Sequence, residues 1–323
     1  AVIADLVGDN VGDVAGMGAD LYESYVESII APMALATVAG GFALQTYGTN
    51  AVILPLLISA IGIFSSILGM FFVRTGKKSN VYSAMRNGLF ASTILVAIFA
   101  GVATWYLLEG NMGPYLAILA GLLAGIIIGL NTEYFASEKQ KPVKSIAEAA
   151  KTGPATVIIQ GLVTGMMSTV IPVISVVVAM LLSYYFAEFY GVAIAAVGML
   201  SVLGISLATD CYGPVADNAA GIAEMSGMGQ DVRERAESLD AVGNTTAAMG
   251  KGFAIGSAAI TALALISTFI VFLSIHYTSD QILSFLSLGS ETSPFLVSGI
   301  FLGAMLPFVF IVLTMGAVGK AAY

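Results

Sequence analysis

Residues 51–73 read AVILPLLISAIGIFSSILGMFFV and contain no charged side chain. A helix of about 20 mostly apolar residues is long enough to cross the hydrocarbon core of a bilayer. Comparable stretches recur along the chain, separated by short polar or Gly/Pro-containing connections. We therefore predict about eight membrane-spanning helices. The predicted spans are residues 20–44, 51–73, 89–108, 114–130, 157–186, 191–208, 252–275 and 295–315.

The composition of the whole chain agrees with this prediction. Hydrophobic residues make up 58% of the chain, charged residues 10%, and the mean hydropathy is +0.94, whereas about a quarter of the residues of a typical soluble domain are charged. The alternative, a soluble helical bundle with a very apolar core, is disfavoured by the number of long uncharged stretches. We predict an all-α polytopic membrane protein, with residues 1–323 forming one transmembrane helical domain.

The net charge argues against nucleic-acid binding, and the cysteine content rules out an intrachain disulfide. The net charge is −8, which argues against a nucleic-acid partner because phosphate backbones are bound by clustered Lys and Arg. The acidic residues are expected to serve cations instead. A single cysteine, Cys211, forms no intrachain disulfide. Because Ala1 stands where an initiator Met is expected, we interpret the chain as an internal piece of a longer protein.

Lys and Arg collect in alternate connections between the predicted spans, and short basic connections stay on the cytoplasmic side of a membrane. This pattern predicts a multi-pass protein of the cell membrane. It also places the acidic residues 1–20 on the cytoplasmic face. The basic residues that define the topology are Arg74, Lys77, Lys78, Arg86, Lys139, Lys141, Lys144, Lys151, Arg233, Arg235 and Lys320.

The first acidic segment carries Asp5, Asp9 and Asp13 at intervals of four residues. In an α-helix this spacing places three carboxylates along one side. Such a column needs cations to neutralise it, and Mg²⁺ commonly binds a few carboxylates together with substrate phosphates. The alternative is a solvated acidic helix start, favoured by the helix macrodipole. Four nearby glycines are expected to let other helices approach closely.

Three further carboxylates, Asp20, Glu23 and Glu27, stand at the start of the first predicted span. An ionised side chain at the centre of a membrane helix costs about 2.5–3.5 kcal/mol by insertion scales, and such residues usually mark ion pathways. We therefore expect an ion pathway here. The alternative places Glu23 and Glu27 in the headgroup region.

A second acidic region contains Asp210, Asp217 and Glu224, which recur every seven residues. This spacing predicts one helical face, although Gly213 and Pro214 are expected to disturb it. The stretch DNAAGIAEMSGMGQD from Asp217 resembles DNVGDVAGMGAD from Asp9, which suggests an internal duplication or a chance similarity.

Polar groups follow this region at Asn244 and Lys251. Lys251 and Asp210 are candidates for phosphate contact or for a structural contact, and Lys251 is equally explained as a residue snorkelling at a helix end. The chain has no Gly-x-x-x-x-Gly-Lys-Ser/Thr motif, so a P-loop mechanism has no support.

Three motifs carry a family resemblance. GDNVGDVAGMGAD (8–20), TDCYGPVADNAAGIAEMSGM (209–228) and LDAVGNTTAAMGKGFAIGSAA (239–259) resemble signatures of the membrane-integral inorganic pyrophosphatases, and the resemblance covers essentially the whole chain. Members of that family hydrolyse pyrophosphate and pump Na⁺ or H⁺ across a membrane. The resemblance implies a homodimer of sixteen-helix protomers, of which this chain would supply helices six to thirteen.

The resemblance also implies roles for individual residues. Asp13 would deprotonate the attacking water. The other helices of the family carry further ligands, so this chain alone is expected to be inactive. The resemblance assigns Asp5, Asp9, Asp217 and Asn244 to Mg²⁺ and Mg-pyrophosphate binding, and Asp20, Glu23 and Glu27 to the ion gate and transport.

Two positions imply which ions are used. Potassium-independent family members carry Lys where this sequence has Ala247, so the resemblance implies activation by K⁺. A Glu at position 23 is typical of potassium-dependent sodium pumps, whereas Glu27 matches the proton-pump position and leaves proton co-transport open. The implied cofactors are Mg²⁺, K⁺ and transported Na⁺; the implied partners are pyrophosphate and lipid. A proton-only pump and a secondary cation-coupled transporter are the alternatives.

Overall fold

The computed structural model describes residues 2–38, 41–74, 81–274, 277–287 and 293–322. These residues form helices and no strand, which confirms the all-α prediction. Lys77 and Lys78 of the first basic connection lie outside the described residues. The helices are α1 (Val2–Asp9), a π-helix (Asn10–Gly16), α2 (Met17–Thr37), α3 (Phe42–Tyr47), α4 (Asn50–Met70), α5 (Val81–Leu107), α6 (Gly113–Ala136), α7 (Lys141–Ala149), a 3₁₀-helix (Ala150–Thr152), α8 (Pro154–Ser168), α9 (Val170–Leu200), α10 (Leu203–Met225), α11 (Gln230–Leu273), α12 (Ser279–Leu286) and α13 (Ser293–Ala322).

Six helical segments of the described chain are long and apolar enough to cross a membrane, which confirms the polytopic prediction. The first predicted span, residues 20–44, covers most of α2 and continues into α3; α2 includes three carboxylates and is not among these six segments. Two other predicted spans, 157–186 and 191–208, lie before and after a break inside α9. The six segments are Asn50–Met70, Val81–Leu107, Gly113–Thr152, Pro154–Leu200, Gln230–Leu273 and Ser293–Lys320.

The break in α9 lies at two residues with non-helical backbone angles. Ala187 has φ −151° and ψ 28°, and Glu188 has φ 50° and ψ −145°. Beyond the break the helix is completely buried from residue 190 to residue 200. It packs against α6 so closely that a Cβ added to Gly198 would lie 2.6 Å from the carbonyl oxygen of Ile118. A small residue is required here, as is common between membrane helices.

Helix α10 runs without interruption from Leu203 to Met225, with Pro214 inside it. The predicted disturbance at Gly213 and Pro214 therefore does not end the helix. Neighbouring helices can re-satisfy the backbone groups that a proline frees in a membrane protein. As a result, Asp210 and Asp217 belong to one helix.

The chain divides into two compact units, residues 1–268 and 269–323. The first contains α1 to α10 and most of α11, including every candidate site residue. The second contains α12, which begins with a capping box between Thr278 and Gln281, and the long apolar helix α13. The single domain predicted for residues 1–323 stays a prediction.

Candidate functional site

The first acidic segment forms a continuous helical run whose geometry changes at Asp13. Asp5 and Asp9 lie on α1, whereas Asp13 lies in the π-helix Asn10–Gly16. The sequence predicted one α-helix with three stacked carboxylates, and the π-helix modifies that arrangement because it has more residues per turn. Short π-helical segments inside α-helices occur frequently at functional sites. Asp5 is exposed, while Asp9 and Asp13 are partly buried.

Asp9 faces Asp217 of α10. The hydrogen bond to Asp217, followed by partial burial and the charges of Asp217 and Asp13, raises the pKa of Asp9 to about 6. The two helices meet nearby, where the side chain of Leu6 lies against Gly221. The structure thus brings together two of the predicted pyrophosphate-binding residues.

Asp13 is paired with Lys251 of α11. The Nζ of Lys251 lies 3.1 Å from Oδ1 of Asp13, whose side chain is 24% exposed. The sequence left Lys251 between phosphate contact, structural contact and snorkelling, and the structure shows an ion pair with the candidate base. Their separation along the chain gave no signal for this pair.

Asn244 also lies on α11, one turn after Asp240. The Nδ2 of Asn244 is 3.3 Å from each carboxylate oxygen of Asp240. Asp9 is close enough for its charge to act on Asp240. Asp240 was missed as a site residue, although its position four residues before Asn244 places both on one helical face.

The predicted acidic face of α10 runs from the interior to the surface. Asp210 is fully buried, Asp217 is partly buried, and Glu224 is exposed and pairs with Arg233 at 3.6 Å. Burial, and after it the charge of Asp13, raises the pKa of Asp210 to about 8. Only Asp217 of the three interacts with Asp9, so the seven-residue repeat combines one buried position, one position in the acidic site and one surface position.

The predicted ion-pathway residues follow along α2. Asp20 and Lys251 line the same open groove, together with Gly12 and Gly16. Glu23 is exposed and Glu27 partly buried, and neither these two nor Asp20 forms an ion pair with a described residue.

The glycines of the first acidic segment do not contact another helix of the described chain. A Cβ added at Gly8, Gly12 or Gly18 would meet no described atom within 4 Å. We predicted that another helix packs closely against these glycines, but no described helix does so at Gly8, Gly12 or Gly18.

The carboxyl groups of the candidate site fit Mg²⁺ only if phosphate supplies further oxygen ligands. Within the described ranges, no group of three or more His, Cys, Asp or Glu side chains could hold a metal ion by itself. The carboxyl groups of Asp9 and Asp217 nevertheless lie close enough to interact, and a cation can bridge them. Because Mg²⁺ usually binds one or two carboxylates and completes its shell with phosphate and water, this pair matches a magnesium–phosphate site.

Ala247 is buried against Met17, Leu21 and Leu203. A lysine at this position would have to extend its aliphatic stem past these side chains to bring its ammonium into a polar region.

Comparison with known proteins agrees with the motifs. The family model described as inorganic H+ pyrophosphatase matches residues 1–323. All of this chain aligns with a putative K(+)-stimulated pyrophosphate-energized sodium pump of Bacteroides thetaiotaomicron, at 47% identity over 49% of that protein. All of this chain also aligns with a protein of the same name from Clostridium tetani, at 46% identity over 46% of that protein.

A third relative, a K(+)-insensitive pyrophosphate-energized proton pump of Methanosarcina mazei, is 44% identical over all of this chain and 47% of its own length. The chain thus spans about half the length of the curated relatives that it matches. The match over its whole length shows that this chain belongs to the inorganic H+ pyrophosphatase family.

Proposed function

We propose that the full-length protein containing this chain hydrolyses inorganic pyrophosphate and uses the energy released to pump Na⁺ across the membrane. The observation that carries this proposal is the convergence of three helical segments on one acidic site. Asp9 faces Asp217 there, and Asp13 pairs with Lys251. Lys251 also lines the groove that contains Asp20, so hydrolytic and ion-pathway residues share one surface.

Hydrolysis requires a base and anchors for two phosphates. Mg²⁺, when bound, would neutralise phosphate oxygens. Asp9, Asp217 and Asn244 would supply oxygen ligands for Mg-pyrophosphate, and Asp5 would add a carboxylate from the exposed part of α1. Asp13 accepts a proton from water as the water oxygen bonds to phosphorus and the bridging P–O bond breaks, giving two phosphates. No covalent intermediate is needed.

The proposed transport pathway begins at Asp20 and continues along α2 through Glu23 and Glu27. Sodium is favoured because two relatives at 46–47% identity are named as sodium pumps. A proton-only pump is the second candidate, since the Methanosarcina mazei relative is named as a proton pump.

The site is proposed to face the cytoplasm, in a multi-pass protein of the cell membrane. The distribution of Lys and Arg supports this orientation, because basic short connections stay cytoplasmic. A homodimer is proposed as the assembly, on the family resemblance described above.

Potassium is proposed as an activator, with Ala247 as the determinant. Two relatives are named K(+)-stimulated. Ala247→Lys is expected to make hydrolysis by the full-length protein indifferent to K⁺, because a tethered ammonium replaces the cation. Phosphate release is measured with and without K⁺ in both forms. Full activity of the unmodified protein in K⁺-free buffer contradicts this proposal.

The central experiment measures phosphate release from pyrophosphate by the full-length protein in membranes. Release is expected to require Mg²⁺ and to be lost in Asp217→Asn, which removes one of the two facing carboxyl groups. Asp231→Asn, at an exposed position of α11 outside the site, is the matched control and should retain activity. A folded protein that releases no phosphate with Mg²⁺ and pyrophosphate overturns the proposed function.

A further inference from the structure

The hydroxyl group of Tyr82 joins α5 to α11. It donates a hydrogen bond to the carbonyl oxygen of Ala241 at 3.0 Å and lies 3.1 Å from Oγ1 of Thr245. Oγ1 of Thr245 is also 3.1 Å from the carbonyl oxygen of Ala241. The three oxygens therefore form a closed triangle that is held by two hydroxyl protons. Through this triangle one residue of α5 fixes a complete turn of α11.

The same turn of α11 carries two residues of the acidic site. Asp240 directly precedes Ala241, and Asn244 directly precedes Thr245. Successive residues of an α-helix are about 100° apart around its axis, so each pair, four residues apart, lies along its own side of the helix. Asn244 is exposed, whereas Thr245 is buried. A rotation of α11 that disturbed the triangle would therefore also move Asn244 and Asp240.

Tyr82 is itself held in place by its surroundings. Its side chain is buried and packs in one cluster with Val242 of α11. The Nζ of Lys139, in the connection after α6, lies 4.9 Å from the centre of the Tyr82 ring, which is a cation–π distance. One turn further along α5, Arg86 pairs with Glu133 of α6 at 3.5 Å. The Tyr82 hydroxyl therefore projects from a part of α5 that is fixed against α6.

Packing alone does not explain the hydroxyl group at this position. A phenylalanine would fill the same space and keep the contact between the ring and Lys139. Thr245 can also bond back to the carbonyl oxygen of Ala241 without help from α5, as threonines in helices often do. What Tyr82 adds is a directional bond from another helix to that carbonyl oxygen. The bond sets the rotation of α11 about its axis, which apolar contacts leave less sharply defined.

We propose that Tyr82 is a positioning residue for pyrophosphate binding, because its hydroxyl group fixes the rotation of α11 and so holds Asn244 at the Mg-pyrophosphate site. The inference rests on the proposed function, which gives Asn244 its role as a ligand. Tyr82 acts through α11 and needs no contact with the substrate. Its loss should therefore weaken binding of a pyrophosphate analogue before any bond is broken.

The test uses Tyr82→Phe in the full-length protein and Mg-imidodiphosphate, an analogue with nitrogen in place of the bridging oxygen. Its dissociation constant, measured by protection against heat at fixed Mg²⁺ and K⁺, should rise about two- to tenfold, the range for one net hydrogen bond. Tyr190→Phe is the matched control, since Tyr190 is a buried tyrosine that donates to the carbonyl oxygen of Ala51 at 2.8 Å. This control should lower the melting temperature of the unliganded protein and leave analogue binding unchanged.

A double-mutant cycle separates positioning from general destabilisation. If Tyr82 acts through Asn244, Tyr82→Phe should lose most of its effect on analogue binding when Asn244→Ala is already present. Fully additive losses, or normal binding by Tyr82→Phe, overturn the inference and leave the proposed function intact.

An unmodified protein that does not bind the analogue overturns the proposed function, and this inference with it. If Tyr82→Phe does not fold, Thr245→Val, which removes another oxygen of the triangle, takes its place in the same cycle.

Discussion

The ion pair between Asp13 and Lys251 connects the first acidic segment to α11. Asp13 is mostly buried, and Lys251 approaches Oδ1 from the groove side. An ion pair to one carboxylate oxygen fixes the orientation of the group and leaves the second oxygen to accept a proton. A base at this position is therefore held in place before substrate arrives. The pair gives Lys251 a positioning role that the sequence could not distinguish from snorkelling.

Asp13→Asn tests the role of the base. The substitution keeps the shape and removes the basicity, so turnover by the full-length protein should fall at least about a hundredfold, the usual scale for general acid–base catalysis. Binding of Mg-pyrophosphate, measured separately by ligand protection against heat, should persist. Asp231→Asn again serves as the control. Near-normal turnover in Asp13→Asn removes this residue from the role.

Asp210 predicts a pH dependence of stability. Its pKa is raised to about 8 from an ordinary value of 3.8, so the folded state binds the proton more tightly than the unfolded state does. The resulting stabilisation is complete below pH 3.8 and is lost as the pH rises to about 8, by at most about 1.4 kcal/mol per pH unit. The charge of Asp13 opposes deprotonation of Asp210 and that of Lys251 favours it, while Arg86 and Glu133 line a small cavity that Asp210 also lines.

The measurement compares apparent melting temperatures of the full-length protein and its Asp210→Asn variant in choline buffers from pH 5 to 9. The unmodified protein should lose stability relative to the variant as the pH rises, because ionisation of a buried carboxyl group without a partner is unfavourable. Parallel curves for the two proteins would show that Asp210 does not titrate in this range.

At the scale of helices, hydropathy was sufficient to place most elements. The predicted span 51–73 and the observed α4 (Asn50–Met70) agree closely because a run of apolar residues determines a membrane helix almost alone. The π-helix was not predictable, since an added residue per turn leaves hydropathy unchanged. The break in α9 contains neither Gly nor Pro at Ala187 and Glu188, so the usual signal was missing.

The similarity between the two acidic segments has different structural outcomes. The first Gly-Met-Gly, residues 16–18, lies where the π-helix passes into α2. The second, residues 227–229, lies in the connection after α10, where Gly227 has φ 63°. The predicted duplication is therefore not matched by a common backbone conformation. Likewise, contacts such as Asp9 with Asp217 depend on helix packing, which local sequence patterns do not determine.

The positive φ of Glu188, at the break in α9, predicts that glycine is more stable than alanine at this position. Glu188 has φ 50°, a region that glycine occupies without the steric cost of a Cβ. Glu188→Gly should raise stability by about 0.5–1 kcal/mol relative to Glu188→Ala, which also removes the carboxylate but keeps the Cβ. Apparent melting temperatures of the two full-length variants give the comparison. A lower value for the glycine variant contradicts the strain expected at this residue.

At the scale of the whole molecule, this chain spans about half the length of its curated relatives and already contains both a candidate hydrolytic site and a candidate ion pathway. Asp20 and Lys251 share a groove, and Lys251 pairs with Asp13. A change in the charge state of Asp13 during hydrolysis would alter the field that Lys251 and Asp20 experience across that groove. Coupling between chemistry and transport can therefore be electrostatic and local, without a long relay through the bundle.

The proposed choice of transported ion rests on Glu23. Its carboxylate lies three residues after Asp20, hence on the same side of α2, at the point where the chain becomes apolar. Glu27 follows one turn later and is more buried. Glu23 is exposed in the described chain; where the rest of the full-length protein covers this side of α2, two neighbouring carboxylates need a cation or a proton between them, because both charges cannot be buried without compensation. Either Na⁺ or H⁺ satisfies this requirement, and the sodium-pump relatives favour Na⁺.

Inverted vesicles containing the full-length protein should accumulate radioactive sodium when pyrophosphate is supplied. Glu23→Ala should abolish this uptake because it removes one member of the carboxylate pair at the membrane boundary. Glu138→Ala, at an exposed position in the connection after α6 and in no ion pair with a described residue, is the control and should transport normally. Simultaneous recording of vesicle pH distinguishes co-transport of protons from sodium transport alone. Acidification without sodium uptake at any sodium concentration would assign the pathway, with Glu27 as its principal carboxylate, to protons only.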